Sequence, residues 1–103
     1  MNIASPKQAY DATRESDDCV LVDVREEEER EGSRIARSLA LPLTQLIKEA
    51  PALMGNKKIY FICASGGRSM MAAEYMESQG HPASYSVDGG VMGWHVAGLP
   101  FEG

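Results

Sequence analysis

Short apolar runs recur along the chain, separated by segments with polar residues at helical spacing. The runs cover residues 19–22, 39–41, 58–62 and 83–87, and the first and third are rich in β-branched or aromatic residues. Runs of this length and composition predict buried strands. These runs are continuously apolar more than they alternate between polar and apolar residues. They therefore favour a parallel sheet with helices on both faces.

The segments between these runs predict helices. Ser5 followed by Pro6 is typical of a helix start, and Gly80 is typical of a helix end. The predicted helices cover residues 6–15, 26–31, 45–51 behind a Thr44 cap, 69–79 and a short segment carrying Trp94. The pattern predicts one α/β domain over residues 1–103, with a mostly parallel sheet of about four to five strands.

The net charge and the hydropathy of the chain limit the classes of partner that it can bind. The chain has 103 residues and a formal net charge of −5, and five of its acidic residues lie within 26–31. A nucleic-acid partner needs a basic face, and a membrane span needs roughly 20 apolar residues in a row. The chain has no excess of basic residues and no apolar run of that length. Its start also lacks the basic and apolar regions of a secretory leader. We therefore expect a cytoplasmic protein without nucleic-acid or membrane partners.

The two cysteines, Cys19 and Cys63, are 44 positions apart and form neither a C-x-x-C motif nor a cluster with histidine. We expect free thiols, no metal and no cofactor. Cys19 opens a predicted strand and is expected to be unreactive, whereas Cys63 follows the apolar run at 58–62.

Cys63 lies in a loop suited to anion binding. It ends a predicted strand, and ligands of open α/β sheets bind beyond the carboxyl ends of the strands. The residues that follow are small or flexible until an arginine opens the next helix: Ala64, Ser65, Gly66, Gly67, Arg68 and Ser69. Glycines allow backbone N–H groups to turn toward one point, and a helix amino terminus lowers a thiol pKa. We therefore predict a reactive thiolate at Cys63.

The motif Cys63-Ala64-Ser65-Gly66-Gly67-Arg68-Ser69 resembles the active-site loop of single-domain rhodaneses, which are sulfurtransferases. The segment Leu21-Val22-Asp23-Val24-Arg25-Glu26 resembles the family's amino-terminal Asp-Val-Arg signature, and residues 88–100 resemble its carboxyl-terminal Gly-Gly, Trp and Gly-Leu-Pro pattern. The matches follow the family's order from about Val20 to Pro100. The resemblance implies a single rhodanese-like domain with Cys63 as the catalytic residue and residues 64–69 as the substrate-binding loop.

Residues 33–37 depart from the family pattern. Ser33, Arg34, Ala36 and Arg37 stand where the family has Gly, His, Pro and a second Gly. This departure puts the local loop shape in question, and we expect both arginines to be solvated. The sequence leaves open whether Arg34 reaches the pocket.

Loop length favours sulfur over phosphate. Related cysteine phosphatases have five residues between cysteine and arginine, whereas four separate Cys63 from Arg68 here. The expected reaction has two half-reactions. Cys63 takes the outer sulfur of thiosulfate or a related donor as a persulfide, with Arg68 orienting the oxyanion. Cyanide, a small thiol or a protein thiol then removes that sulfur. The alternatives are a sulfur carrier that passes its persulfide to a protein partner and, less favoured, a phosphatase or arsenate reductase.

Four further residues carry structural expectations. Asp23 and Arg25 are expected to form a buried or semi-buried pair that holds the neighbouring loops. Trp94 is expected to anchor the last helix in the core. His81 precedes a proline in a predicted turn and is expected to be exposed. Whether Arg25 or His95 faces the pocket stays open.

Overall fold

A sheet of five parallel strands forms the centre of the computed structural model, which describes residues 2–102. The strands are β1 (Asn2–Ala4), β2 (Cys19–Asp23), β3 (Leu39–Ala40), β4 (Lys58–Ile62) and β5 (Ser84–Val87), in the order β1-β5-β4-β2-β3. The parallel α/β fold is therefore confirmed. The ends of the predicted domain, Met1 and Gly103, lie outside the described residues.

Within the described residues, four α-helices lie between successive strands and a fifth follows β5: α1 (Pro6–Glu15), α2 (Glu27–Arg30), α3 (Leu46–Leu53), α4 (Gly67–Ser78) and α5 (Gly90–Val96). The predicted start of α1 is confirmed as a capping box. The Gln8 amide donates to Ser5 Oγ over 3.1 Å, and the Ser5 amide donates to Gln8 Oε1 over 2.8 Å. No helix within residues 2–102 is long and apolar enough to cross a membrane.

The central strand β4 contributes side chains to the hydrophobic clusters on both faces of the sheet. Ile59 and Phe61 pack into the cluster that holds residues of α3 and α4, whereas Tyr60 and Ile62 pack into the cluster that holds Trp94. Successive side chains of a strand point to opposite faces, so this alternation follows from the strand itself. The same alternation places Cys63, the next residue, on the α3 and α4 side of the sheet.

The prediction for Trp94 is confirmed. Its side chain is 1% exposed, its ring meets Tyr10 edge to face at 6.0 Å, and its Nε1–H donates to the Pro100 carbonyl over 3.0 Å. The indole thus fastens α5 to both α1 and the carboxyl-terminal segment.

Two elements differ from the prediction. Strand β1 was not predicted; it has three residues and pairs with β5 in a register that places Ile3 beside Ser86. The Thr44 cap is also wrong, because a 3₁₀ turn over Leu43–Gln45 includes this residue and α3 begins after it.

The prediction that His81 is exposed is wrong. His81 is buried, its Nε2 lies 2.7 Å from the Asn56 carbonyl oxygen, and its Nδ1 lies 3.0 Å from Ser84 Oγ. The ring ties the loop before β4 to the start of β5. The two partners satisfy both ring nitrogens with hydrogen bonds, and these hydrogen bonds offset the cost of burying a polar side chain.

Candidate functional site

Cys63 lies immediately after β4, where the backbone leaves the sheet and turns toward α4. Its side chain is 1% exposed. The loop residues differ in exposure, since Gly66 and Ser69 are buried, Ala64 and Arg68 are half-buried, and Ser65 and Gly67 are exposed. The sulfur therefore lies just beneath a loop whose outer residues reach solvent.

Hydrogen-bond donors converge on the sulfur. The amide of Gly66 lies 3.1 Å from Cys63 Sγ, and the amide of Ser69 lies 3.3 Å from it. Cys63 Sγ also lies 3.5 Å from the Ser69 hydroxyl oxygen, to which the neutral thiol donates and from which the thiolate accepts. Gly66 has φ 121°, a conformation that other residues rarely adopt, and it precedes the first turn of α4. The glycine thus turns its amide inward and begins the helix.

These contacts decide the ionisation of the thiol. Burial acts to raise the pKa of Cys63, but hydrogen bonds from the Ser69 hydroxyl and from the amides of Ser69, Gly66 and Ser65 outweigh it. The pKa of Cys63 is lowered, so the site stabilises an anionic sulfur. The Ser69 hydroxyl also lies 2.7 Å from the buried Ser86 hydroxyl on β5, which holds its oxygen in place.

Gly90 packs directly against the backbone of the loop that begins at Cys63. A Cβ at this position would lie 2.3 Å from the Cys63 carbonyl oxygen and 2.6 Å from that of Ala64. The neighbouring Val91 amide donates to the Cys63 carbonyl over 2.8 Å. The Gly-Gly pair matches a family pattern in the sequence, but this contact could not be predicted from that match. Its role is to let the start of α5 touch the loop.

The expected pair of Asp23 and Arg25 is confirmed, and it belongs to a larger buried network. Asp23 is fully buried and accepts hydrogen bonds from Arg25 Nη2 at 2.8 Å and from Arg30 Nε at 3.2 Å. Arg25 also donates to the carbonyl oxygens of Glu29 at 3.1 Å and Ser33 at 2.8 Å. The network therefore fastens α2 and the segment after it to the end of β2.

Arg68 lies in the first turn of α4 and forms an ion pair with Glu29 of α2. Its Nη1 donates to Glu29 Oε2 over 2.6 Å, and its Nη2 donates to Oε1 over 2.7 Å. From the sequence, Arg68 is expected to orient an incoming oxyanion, whereas Glu29 has no predicted role. No local signal could have found this pair, because its members are 39 positions apart.

The segment 33–37, which departs from the family pattern, contains a left-handed backbone conformation that glycine usually adopts, although it has no glycine. Arg37 has φ 65° and is the only non-glycine residue with positive φ within residues 2–102. It occupies the position that the family pattern gives to glycine. Arg34 is half-buried and pairs with Glu27, and Ile35, which lies between Arg34 and Arg37 in sequence, is fully buried. The arginines thus change the surface of this loop while its apolar anchor is kept.

His95 is exposed, and its ring centre lies 6.3 Å from that of Phe101. The His95 ring thus lies beside the carboxyl-terminal segment. Cys19 is half-buried against the layer that holds Trp94, on the opposite side of the sheet from Cys63.

The fold and site together define a parallel α/β domain with a hydrogen-bonded cysteine at the end of its central strand. The model of the rhodanese-like domain family matches residues 5–97, and the chain belongs to this family. A rhodanese-related protein of Thermoplasma volcanium has a similar structure, with a TM-score of 0.84 and 29% identity over 99% of this chain and 98% of that one.

Curated relatives agree with this family. The chain is 30% identical to the thiosulfate sulfurtransferase GlpE of Vibrio cholerae, over 91% of this chain and 89% of that protein. It is 39% identical to YrkF of Bacillus subtilis, whose name describes a candidate sulfur carrier, over 84% of this chain. The chain spans about half the length of the first curated relatives it matches, 48% of YrkF and 55% of a Synechocystis protein.

Proposed function

We propose that this domain transfers sulfane sulfur through a persulfide on Cys63. The observation that carries the proposal is the convergence of the Gly66 and Ser69 amides on Cys63 Sγ, at 3.1 and 3.3 Å. Amides at such distances stabilise an anionic sulfur, and a persulfide is such an anion at neutral pH.

In the first half-reaction the Cys63 thiolate attacks the outer sulfur of thiosulfate or of another sulfane donor. The sulfur–sulfur bond of the donor breaks, and sulfite or a thiolate leaves with the bonding electron pair. In the second half-reaction cyanide, a small thiol or a protein thiol attacks the outer sulfur of the persulfide. The Cys63 thiolate is then released, and no cofactor other than the covalent persulfide takes part.

The same geometry weighs against phosphoryl transfer. Only four residues lie between Cys63 and Arg68, and two of the loop amides already point at the sulfur itself. Arg68, which a phosphatase would direct at the phosphoryl group, is held by the Glu29 carboxylate. A loop closed around one atom suits a persulfide better than a bound tetrahedral group.

A sulfur carrier is the second candidate, and the 39% identity to YrkF is the observation that favours it. A carrier would use the same Cys63 chemistry and deliver the sulfur to a protein thiol.

Thiocyanate formation from thiosulfate and cyanide separates the two, with Cys63→Ala as the control. Saturable turnover that is lost in Cys63→Ala supports the enzyme. One sulfur loaded per chain without turnover supports the carrier. Full activity in Cys63→Ala, or vanadate-sensitive phosphatase activity in the unmodified chain, would contradict both.

A further inference from the structure

The guanidinium of Arg68 is already occupied. Both of its terminal nitrogens bind the two oxygens of Glu29, at 2.6 and 2.7 Å, which is the planar two-point geometry that arginine also uses for sulfonate and phosphate groups. An oxyanion that came to the loop to bind Arg68 would therefore meet a carboxylate in its place.

Glu29 is held in that position from the sheet side. Its carbonyl oxygen accepts from Arg25 Nη1 at 3.1 Å, and Arg25 is fixed by the fully buried Asp23. Its carboxylate also accepts from the Glu26 amide at 2.9 Å. The ion pair thus joins α2 to the first turn of α4, and the fold positions Glu29 for it. An ion pair between two unconstrained surface side chains would lack these additional hydrogen bonds.

The Glu29 carboxylate is charged at neutral pH. The Arg68 hydrogen bonds, followed by the Glu26 amide, lower the pKa of Glu29 from its usual range to about 2. The pair is therefore ionised at neutral pH and competes with an anionic ligand throughout that range.

We propose that Glu29 is a specificity-determining residue that disfavours oxyanion-bearing sulfur donors, such as thiosulfate, relative to persulfide donors that lack an oxyanion. This inference rests on the proposed function of Cys63. A thiosulfate ion gains Arg68 only by displacing Glu29, whereas a persulfide needs only the loop amides and the thiolate. The two side chains are 34% and 37% exposed, so solvent screening limits the effect to a several-fold preference.

The two donors differ only in their leaving groups. With thiosulfate, the Cys63 thiolate bonds to the outer sulfur, the donor's sulfur–sulfur bond breaks, and sulfite departs with its electron pair. With a persulfide R–S–SH, the same bond forms, R–S⁻ departs, and it takes up the proton of the transferred sulfur. The Cys63 persulfide is the same anion in both cases, so a substitution that changes the rate for one donor and not for the other reports on how that donor is accommodated.

The test compares kcat/KM for thiosulfate and for the persulfide of 2-mercaptoethanol in the unmodified chain and in Glu29→Gln. Glutamine keeps an oxygen for the Glu26 amide but loses the charge that holds Arg68. We expect kcat/KM for thiosulfate to rise about fivefold through a lower KM, and the persulfide value to change less than about twofold. Glu28→Gln is the matched control, since it removes the same charge from an exposed neighbour that forms no ion pair within residues 2–102.

A double variant completes the test. In Glu29→Gln combined with Arg68→Met, the gain for thiosulfate should disappear, because the arginine that was freed is gone. An equal change for both donors, an unchanged or higher KM for thiosulfate, or the same gain in Glu28→Gln would overturn the inference. If the unmodified chain forms no persulfide with either donor, the proposed function fails. If it forms one and Glu29→Gln shows no donor preference, only the role of Glu29 fails.

Discussion

Gly90 offers the sharpest test of how α5 supports the loop that begins at Cys63. In Gly90→Ala the new Cβ would lie 2.3 Å from the Cys63 carbonyl oxygen, where carbon and oxygen normally approach to about 3.3 Å. The loop or α5 must therefore move by about 1 Å, and the hydrogen bond from the Val91 amide to that carbonyl is strained. The sulfur sits on the same residue, so its position moves as well.

The size of the effect follows from two contributions. Placing a Cβ on a residue with φ +56° costs about 1 kcal/mol, and overpacking against backbone adds about 2 kcal/mol. We expect Gly90→Ala to lose about 3 kcal/mol of unfolding free energy and about a hundredfold in kcat/KM for sulfur transfer.

Gly98→Ala is the matched control. Gly98 has φ +73°, but a Cβ there meets no atom within 4 Å, so only the conformational cost of about 1 kcal/mol remains. Urea unfolding followed by the fluorescence of Trp94, the single tryptophan, measures both variants. If Gly90→Ala loses no more stability than Gly98→Ala, or keeps full activity, the proposed contact between α5 and the loop is refuted.

Three further predictions test the site and its supports. Ser69→Ala removes a hydroxyl that lowers the pKa of Cys63, so the midpoint of iodoacetamide alkylation against pH should move upward, and an unchanged midpoint would contradict this role. Arg37→Gly should raise the unfolding free energy by about 1 kcal/mol relative to Arg37→Ala, since only glycine relieves the φ of 65°; equal stabilities in urea would count against it. Asp23→Asn leaves Arg25 buried without its anionic partner and should cost about 3 kcal/mol in the same unfolding assay, whereas a loss below about 1 kcal/mol would mean that the network is not structural.

The predictable parts of the fold are those whose information is local. Strand β4 and the loop after it follow from an apolar run, small residues and glycines next to one another in sequence. The capping box of α1 is also local, since Ser5 and Gln8 are three positions apart. By contrast β1 has only three residues, and it becomes a strand because β5 lies beside it with unpaired backbone groups.

The unpredicted parts of the site depend on contacts distant in sequence. His81 is buried through the Asn56 carbonyl, 25 positions away, and Glu29 meets Arg68 across 39 positions. Gly90 touches Cys63 only because β4 and β5 are neighbours in the sheet. A motif can identify such residues, but the distances that give them a role come from the three-dimensional arrangement.

The location of the transferred sulfur tests the central claim most directly. Intact and peptide mass spectrometry after incubation with a sulfane donor should show one added sulfur atom on Cys63, retained in Cys19→Ser, absent in Cys63→Ser and removed by cyanide. Sulfur that maps to Cys19, or that persists in Cys63→Ser, would contradict the assignment of Cys63 as the sulfur-carrying residue.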